Sequence, residues 1–318
     1  MIEYRQLRFD ELDDWFDHCA LVFGDLGVYR EVFLHHWHDD PWRDIKDILV
    51  AVEDGKILSS VRIFHRDIFF FGQSVSMGGI GEVGTNPKHQ GKGLANRLLK
   101  LAIEQMKAHN VHISMLVAEI RGYYEKLGWR QVIMFNKVSD VYGDEGFPYS
   151  IRQLNFETDL QSVKAIYEEY SGKYNGAVVR NSGFYWENWV KDKVGSWVVE
   201  DGKGNLICYI YIKDKGEQVV AREFGCVLSR EDIFDSLIAR ICSMLGKSCC
   251  EVIYHGGIKS NLDVKRVEEV PYYMYMLITP FEVGRVKVEN TGQLIGAMKG
   301  ESSSVSGPGF LYWETDNF

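Results

Sequence analysis

Apolar and polar residues follow each other along this chain in patterns that predict strands and amphipathic helices in turn. A strand-like opening at residues 4–9 is followed by ELDDWFDHCALVF, residues 11–23, and a second opening at 151–156 by TDLQSVKAIYEEY, residues 158–170. In both later segments the apolar positions recur at helical spacing, which indicates a helix that buries one face. Strands that alternate with helices predict an α+β fold with α/β layers, in which mixed central sheets are flanked by helices.

The sequence also repeats itself at a fixed spacing. YRQLRF at residues 4–9 returns as IRQLNF at 151–156, and VEDGK at 52–56 returns at 199–203. The offset from Arg5 to Arg152 is 147 residues, as is the offset from Glu53 to Glu200. An Asp-Gly pair alone would only favour a hairpin turn. Two matches at one offset instead indicate two copies of one fold.

The repeat predicts the domain organisation. We expect a first domain over residues 1–142, a degenerate second domain over residues 149–280, and a connection at residues 142–150, YGDEGFPYS. A short C-terminal extension, residues 281–318, is expected to dock back on the N-terminal domain. The length of 318 residues agrees with more than one core, because domains usually hold roughly 100 to 200 residues.

A glycine-rich segment separates a predicted strand from a predicted helix in the first copy. GIGEVGT, residues 79–85, reads as the strand, and apolar residues from Leu94 to Met106 recur at helical spacing. Glycines at a helix start expose backbone N–H groups at the positive end of the helix dipole. Residues 89–93, HQGKG, therefore predict a site for a pyrophosphate group.

Two familiar phosphate loops do not fit this segment. A Walker A loop requires Ser or Thr after the lysine, but Gly93 follows Lys92. A dinucleotide loop requires a third glycine where Asn96 stands.

Residues 90–95, QGKGLA, match the pattern [QR]-x-x-G-x-[GA] and resemble the GNAT superfamily of acetyl-CoA-dependent N-acetyltransferases. VGTNP at residues 83–87 is similar to a strand end of that family, and YEKLGW at 124–129 to one of its later segments. The resemblance implies that one acetyl-CoA binds per chain as co-substrate. The cofactor-binding residues that it implies are Val83, Gly84, Thr85, Gln90, Gly91, Lys92, Gly93, Leu94 and Ala95.

The chemistry implied by this resemblance is direct transfer of an acetyl group from the thioester to a primary amine of a small molecule. Tyr124 matches the tyrosine to which the family assigns proton donation to the departing sulfur, with its neighbour Tyr123 as the alternative. The group that deprotonates the amine stays open between Glu82, Glu119, the terminal carboxylate and water.

The second copy lacks the glycine loop, since EFGCVLSREDIF at residues 223–234 contains no such pattern. An active first half with a degenerate second half resembles the enhanced intracellular survival branch of the superfamily. That branch implies a catalytic role for the C-terminal carboxylate, here that of Phe318. The tail SGPGFLYWETDNF is rich in aromatic residues, so we expect it to dock. The 38 residues after Pro280 are too few for the third domain of that branch.

Charge and composition limit the kinds of partner and the cellular location that we expect. A net charge of −9 argues against a nucleic-acid partner, which requires clustered cationic charge. No apolar run approaches the length of a membrane span. The six cysteines, without a CxxC pair or a signal segment, indicate reduced thiols and a cytoplasmic location. A homo-oligomer stays possible.

The segment HHWHDD, residues 35–40, raises the question of a metal site. Neighbouring histidines on one segment diverge, so no metal is expected, and an acceptor-side loop or a surface turn is favoured. Phe33, Trp37 and Trp42 are candidates for an aromatic wall that attracts an amine, or else for core packing.

Two other functions remain open at this stage. The chain could be a non-catalytic module that binds or senses acyl-CoA, or an acetyltransferase for protein lysine side chains or N-termini.

Overall fold

The computed structural model describes residues 1–143, 146–191, 195–301 and 309–318, with residues 195 and 196 described by their backbone alone. Residues 144 and 145 of the predicted connection, residues 192–194, and residues 302–308, which include the first three residues of the tail, lie outside this description. Within the described ranges, two seven-stranded mixed sheets are flanked by helices, which confirms the predicted fold class.

The first sheet contains β1 (Glu3–Gln6), β2 (Ile48–Glu53), β3 (Lys56–Phe70), β4 (Gln73–Thr85), β5 (Ile113–Val117), β6 (Arg130–Gln131) and β14 (Tyr273–Leu277). The second contains β7 (Met134–Tyr142), β8 (Ser150–Gln153), β9 (Gly195–Glu200), β10 (Leu206–Asp214), β11 (Gln218–Cys226), β12 (Cys249–His255) and β13 (Val264–Val270). A hairpin follows, made of β15 (Phe281–Val283) and β16 (Val286–Val288).

The helices are α1 (Leu12–Phe23), α2 (Arg30–His38), α3 (Leu94–Ala108), α4 (Arg121–Glu125), α5 (Phe156–Ser171), α6 (Phe234–Met244) and α7 (Thr291–Met298), with a π-helical segment at Tyr185–Val190. We call the first sheet with α1 to α4 the first lobe, and the second sheet with α5, the π-helical segment and α6 the second lobe. No helix in the described part of the chain is long and apolar enough to cross a bilayer.

The two sheets have the same strand order and exchange one strand each. The first runs β1-β2-β3-β4-β5-β14-β6, and the second runs β8-β9-β10-β11-β12-β7-β13. β14 pairs antiparallel with β5, and β7 pairs antiparallel with β12. Residues 134–142 therefore lie in the second sheet, although the sequence-based boundary places them in the first domain. The predicted boundaries follow the order of the chain, whereas each sheet is completed by the other half.

The repeated segments occupy matching places in the two lobes. β1 and β8 begin 147 residues apart, at Glu3 and Ser150, and β2 and β9 do so at Ile48 and Gly195. The first VEDGK forms a two-residue turn in which Asp54 and Gly55 have φ values of 50° and 73°. The second forms a longer loop between Glu200 and Leu206. The two identical segments thus occupy equivalent connections, β2 to β3 and β9 to β10, but form different turns.

Helices cover both faces of the first sheet. Helix α3 buries its apolar stripe against the sheet, and the buried residues of α1 and α2 pack on the opposite face with β2. The α3 residues in this contact are Leu94, Leu98, Leu99, Ala102 and Met106, in agreement with the helical spacing of apolar residues from Leu94 to Met106.

The lobes are joined by backbone hydrogen bonds at the end of β3. Phe69 N–H donates to Ala177 O at 2.8 Å, and Val179 N–H donates to Asp67 O at 2.8 Å. The Asn175 side chain accepts from Phe71 N–H and donates to Ala297 O, both at 2.8 Å. Because shared backbone bonds fix the relative position of packed elements, side chains from both lobes can build one site.

Candidate active site

A split between two parallel strands opens the first sheet. β4 and β5 pair at three positions, from Met77 with Ile113 to Gly79 with Met115, and β4 then continues to Thr85 paired with β3 but not with β5. The register of β4 against β3 shifts between Ser60 and Arg62, which marks a bulge. A bulge bends its strand and increases the local twist. The bulge therefore directs β4 away from β5 and exposes backbone groups along the split.

Glu82 lies at this bulge in a backbone conformation that non-glycine residues seldom adopt. Its φ is 52°. Left-handed backbone costs of order 1–3 kcal/mol at such a residue and persists where the surroundings enforce it, often at functional sites. Here the Glu82 carbonyl accepts from Ser60 Oγ at 3.2 Å, and its carboxylate is held as described below.

The glycine loop follows the end of β4. Gly91 and Gly93 have φ values of 76° and 75°, and a Cβ atom at either position would meet no atom within 4 Å. Their backbone therefore faces open space and requires glycine for its conformation. Helix α3 begins at Leu94 without a side-chain cap, so the N–H groups of its first turn remain available for a ligand.

These elements enclose a cleft of about 870 Å³. Its walls combine the strand end, the glycine loop, the start of α3, the loop after α1 and helix α4. All nine predicted cofactor residues and Tyr124 line it, namely Val83, Gly84, Thr85, Gln90, Gly91, Lys92, Gly93, Leu94, Ala95 and Tyr124. Other lining residues include Val22, Phe23, Leu26, Ile120 and Tyr123, which make part of the cleft apolar. The geometry brings the predicted residues together, with one polar end at α3 and one apolar flank.

Tyr124 lies on α4, where its ring meets the rings of Tyr123 at 5.1 Å and of buried Trp129 at 6.1 Å. Burial, with a smaller contribution from nearby Tyr123, raises the pKa of Tyr124 to about 12. Burial also raises the pKa of Tyr123. Both hydroxyls are therefore protonated at neutral pH and can donate.

A carboxylate and an imidazole meet at the other face of the bulge. His36 Nδ1 of helix α2 lies 3.2 Å from Glu82 Oε1, and Arg62 Nη1 lies 3.6 Å from Glu82 Oε2. The Glu82 side chain is 3% exposed and that of His36 is 22% exposed. Burial lowers the pKa of Arg62, against the opposing effect of Glu82 and of Asp40, to which its Nη2 donates at 3.1 Å. Glu82 is thus a buried acid with cationic or polar neighbours, and His36 connects it to solvent.

Aromatic rings from both lobes surround His36. Its ring stacks on Trp189 of the second lobe at 5.2 Å and meets the edge of Phe64 at 6.2 Å. Phe64 in turn stacks on Phe318 at 4.7 Å. We call the cluster of these four rings, His36, Phe64, Trp189 and Phe318, the acceptor compartment.

Phe33, Trp37 and Trp42, which the sequence offered either for an aromatic wall or for core packing, do not line the cleft or the acceptor compartment. Phe33 and Trp37 are buried with α1 in the core, and the Arg62 guanidinium lies 5.3 Å from the Trp37 ring centroid. Trp42 packs on Tyr185 at 5.2 Å. Across the described ranges, no three His, Cys, Asp or Glu side chains are grouped in a way that could hold a metal ion.

Phe318 reaches the first lobe at the point where β4 and β5 separate. Its ring lies so close to Gly79 and Gly81 that a Cβ at Gly79 would overlap it. Glycine at these two positions therefore gives the ring its place on the sheet.

Sequence analysis alone does not indicate the contact between His36 and Glu82, which are 46 residues apart. Neither spacing nor composition shows it, because the contact joins helix α2 to β4, which are distant along the chain. The role of Trp189 was missed for the same reason, since it comes from the other lobe.

Comparisons with known proteins agree with this geometry. Residues 3–132 match the family model of the acetyltransferase (GNAT) domain. A search of curated proteins gave no match. Residues 3–132 of the first lobe therefore match a GNAT acetyltransferase domain, which confirms the resemblance drawn from residues 83–129.

Several solved structures are similar over most of the chain. A probable N-acyltransferase from Enterococcus faecalis V583 has a TM-score of 0.71 at 16% identity, over 87% of this chain and 73% of its own. Eis1 from Mycobacterium abscessus has a TM-score of 0.62 at 14% identity, with coverage of 87% and 74%. N-myristoyltransferase from Saccharomyces cerevisiae, with bound myristoyl-CoA, has a TM-score of 0.56 at 11% identity, with coverage of 91% and 87%. At these identities the similarity concerns the fold.

Proposed function

We propose that this protein is an acetyl-CoA-dependent N-acetyltransferase that acetylates a primary amine of a small molecule by direct attack on the thioester. The observation that carries this proposal is the cleft, in which an open glycine loop, a strand split and a protonated tyrosine line one space. A GNAT domain over residues 3–132 supports the same chemistry.

The cleft suits an acyl-CoA in its dimensions and its groups. The N–H groups of residues 90–95 would bind the pyrophosphate at the start of α3, where the helix dipole favours negative charge. The unpaired edge of β4 at Val83 and Thr85 would pair with the amide groups of the pantetheine arm, as an added strand does. Backbone N–H groups at the bulge would stabilise the negative charge that develops on the thioester oxygen.

Tyr124 would serve as general acid. The amine nitrogen bonds to the acyl carbon, the carbon–sulfur bond breaks, and the phenol proton passes to the departing sulfur. Because the pKa of Tyr124 is about 12 and that of a thiol is about 8.5, this transfer is uphill. We therefore expect the proton to move late, as the bond to sulfur breaks, after which Tyr124 regains a proton from solvent.

His36 would take the proton of the incoming amine. With Nδ1–H donating to Glu82, Nε2 would keep a lone pair that can accept a proton, an arrangement in which a carboxylate orients an imidazole base. Glu119 instead lines the cofactor cleft, on the side of Tyr124. The terminal carboxylate of Phe318 would supply the negative charge that draws an ammonium group into the compartment.

The test is a thiol-release assay with acetyl-CoA and a panel of primary amines, which includes a diamine, an aminoglycoside and free lysine, together with a lysine-containing peptide. Release that depends on a small amine supports the proposal. If release occurs with the peptide alone, the protein is a protein acetyltransferase. If acetyl-CoA binds but no amine causes release, the protein is an acyl-CoA-binding module and the proposed reaction is wrong.

A further inference from the structure

The second lobe contains a strand split like that of the first, but the chain itself fills it. β11 and β12 pair in parallel from Gln218 with Glu251 to Val220 with Ile253, and β11 then runs on to Cys226. Residues 312–314 of the tail contact both strands here, because Glu314 pairs with Arg222 of β11 at 3.0 Å and the Trp313 ring meets that of His255 of β12 at 5.8 Å. Together with residues 220–222 and 253–255, these tail residues line a cavity of only about 20 Å³. The corresponding region of the first lobe is open over about 870 Å³.

A buried ion cluster attaches the tail at this place. Arg180 donates to both carboxylate oxygens of Glu223 on β11, at 2.9 and 2.7 Å. It also donates to both carboxylate oxygens of Asp316 in the tail, at 2.9 and 3.0 Å, and to Thr315 Oγ1 at 2.7 Å. The Arg180, Glu223 and Asp316 side chains have no solvent exposure. Bidentate pairs of this kind fix geometry as well as adding energy.

Tyrosine hydroxyl groups donate hydrogen bonds to both carboxylates of this cluster. Tyr185 donates to Asp316 at 3.0 Å, and Tyr209 donates to Glu223 at 2.9 Å. Burial by itself would lower the pKa of Arg180, but Asp316 and Glu223 together raise it above its ordinary value. The guanidinium is therefore charged, and both carboxylates have partners.

Further bonds hold the residues just ahead of the cluster. Trp313 Nε1 donates to Ser171 Oγ at 3.0 Å, and Leu311 N–H donates to Asn175 O at 2.9 Å. Phe318 follows Asp316 by two residues, so the chain can carry it no more than about 7 Å from the anchored position. The ion cluster is also linked to the acceptor compartment, because Tyr185, which donates to Asp316, stacks on Trp189 at 5.7 Å.

We propose that Asp316 is a positioning residue, which Arg180 and Glu223 of the filled second split anchor so that Phe318 is held in the acceptor compartment of the first lobe. The second lobe then contributes to catalysis by holding the tail, and the tail places Phe318 in the acceptor compartment of the first lobe. This inference rests on the proposed function for its catalytic part, whereas the anchoring of Phe318 can be measured without any assumption about the reaction.

The test uses the full chain with Asp316→Asn, since this variant leaves the Arg180–Glu223 pair neutral and intact. The matched control is Glu314→Gln, which removes the partly exposed pair between Glu314 and Arg222, 3.0 Å apart, two residues away in the tail. Thermal unfolding checks that both fold. Carboxypeptidase A, which removes a C-terminal aromatic residue, measures the release of Phe318, and steady-state kinetics with titration of acetyl-CoA measure function.

We expect Asp316→Asn to lose Phe318 at least tenfold faster than wild type and to show a kcat about tenfold lower. Acetyl-CoA affinity should stay within twofold, because the cleft is untouched. Glu314→Gln should match wild type in all three measurements. Protection of Phe318 and a kcat equal to wild type in Asp316→Asn would overturn the inference.

Two further outcomes are decided separately. If Asp316→Asn does not fold, Arg180→Lys, which keeps the charge but not the bidentate geometry, replaces it with the same expectations for Phe318 release and kcat. If wild type neither binds acetyl-CoA nor acetylates an amine, the proposed function fails, while faster release of Phe318 from the variant would still show the anchor. Equal release rates would refute the anchor in an active enzyme as well.

Discussion

The two strand splits of this molecule have the same topology, but the first is open and the second is covered by the C-terminal tail. In the first lobe, β4 bends away from β5 at the bulge of Glu82, and the loop that follows carries Gly91 and Gly93 with open space around them. In the second lobe, residues 227–233 lead from β11 into α6 without such a loop, and the tail occupies the split. One split is thus suited to a ligand, and the other holds a segment of its own chain.

The difference shows that a repeated fold can separate binding from support. A buried ion cluster is costly to form unless every charge has a partner, and the Arg180 cluster meets this condition. Around its strand split, the second lobe is therefore packed like a protein core, whereas the first lobe has an open cleft at the equivalent split. Five sets of variants test what each lobe contributes.

The largest loss of ligand affinity is expected from Gly93→Val in the first lobe. A β-branched residue is strained at a φ of 75°, and its side chain would stand where the pyrophosphate is expected. Acetyl-CoA affinity should fall at least 100-fold, or about 2.7 kcal/mol, by calorimetry. Gly204→Val is the matched control, because Gly204 has a φ of 82° in the second lobe and open space around it. A similar loss of affinity in Gly204→Val would mean that general destabilisation explains the effect.

Tyr124→Phe should lower kcat by about 10² to 10³ through loss of the acid, with acetyl-CoA affinity within twofold of wild type. Tyr123→Phe removes the neighbouring hydroxyl of the same cleft and should stay within threefold in kcat. Steady-state kinetics of both variants decide between the two tyrosines. The assignment of Tyr124 is wrong if Tyr123→Phe shows the larger loss.

His36→Gln should reduce kcat about 30-fold near neutral pH, since the variant keeps a polar side chain but has no basic nitrogen. The deficit should shrink as pH rises, because more of the amine is then already deprotonated. His35→Gln is the control, as its side chain is 73% exposed and pairs with Asp39. A deficit that does not change with pH would indicate that His36 only packs against Trp189.

One glycine added after Phe318 moves the terminal carboxylate without removing the ring. We expect about a tenfold loss in kcat/KM for a cationic amine, since the charge no longer lies where the ammonium group enters. Phe318→Leu keeps the carboxylate in place and should lose less. Full activity of the extended chain would remove the terminal carboxylate from the mechanism.

The smallest effect concerns two matching ion pairs at the start of α1 and α5. The hydrogen bond from Arg5 lowers the pKa of Glu11, and that from Arg152 lowers the pKa of Asp159. Glu11→Gln and Asp159→Asn should each cost about 0.2–1 kcal/mol at pH 7.

A lowered carboxyl pKa gives stability that is present above the unfolded value, near 4, and is lost as pH falls below it. Chemical denaturation of wild type and both variants at pH 7 and pH 3 should therefore show the differences at pH 7 and smaller ones at pH 3. Equal differences at both pH values would mean that the ion pairs do not cause them.

Local features of the fold could be predicted from the sequence. The strands that begin at Glu3, Ser150, Ile48 and Gly195 keep the 147-residue offset of the repeat. The start of α3 at Leu94 follows from the glycine loop and the apolar spacing, because both are properties of a short segment. The nine predicted cofactor residues come together since they all lie within residues 83–95.

Long-range pairings could not be predicted. β7 pairs with β12 and β14 pairs with β5 across more than 100 residues, and no pattern within a strand names its partner. The aromatic tail was expected to dock, but its anchor at Arg180 depends on three distant segments. The acceptor compartment depends in the same way on residues from both lobes and the tail.

A calorimetric titration of the wild-type chain with acetyl-CoA tests the central contrast most directly, because it counts sites without a choice of amine. We predict one site per chain, in the first lobe, and its loss in Gly93→Val. Two sites would contradict the filled second split, and no binding would contradict the acyl-CoA cleft itself.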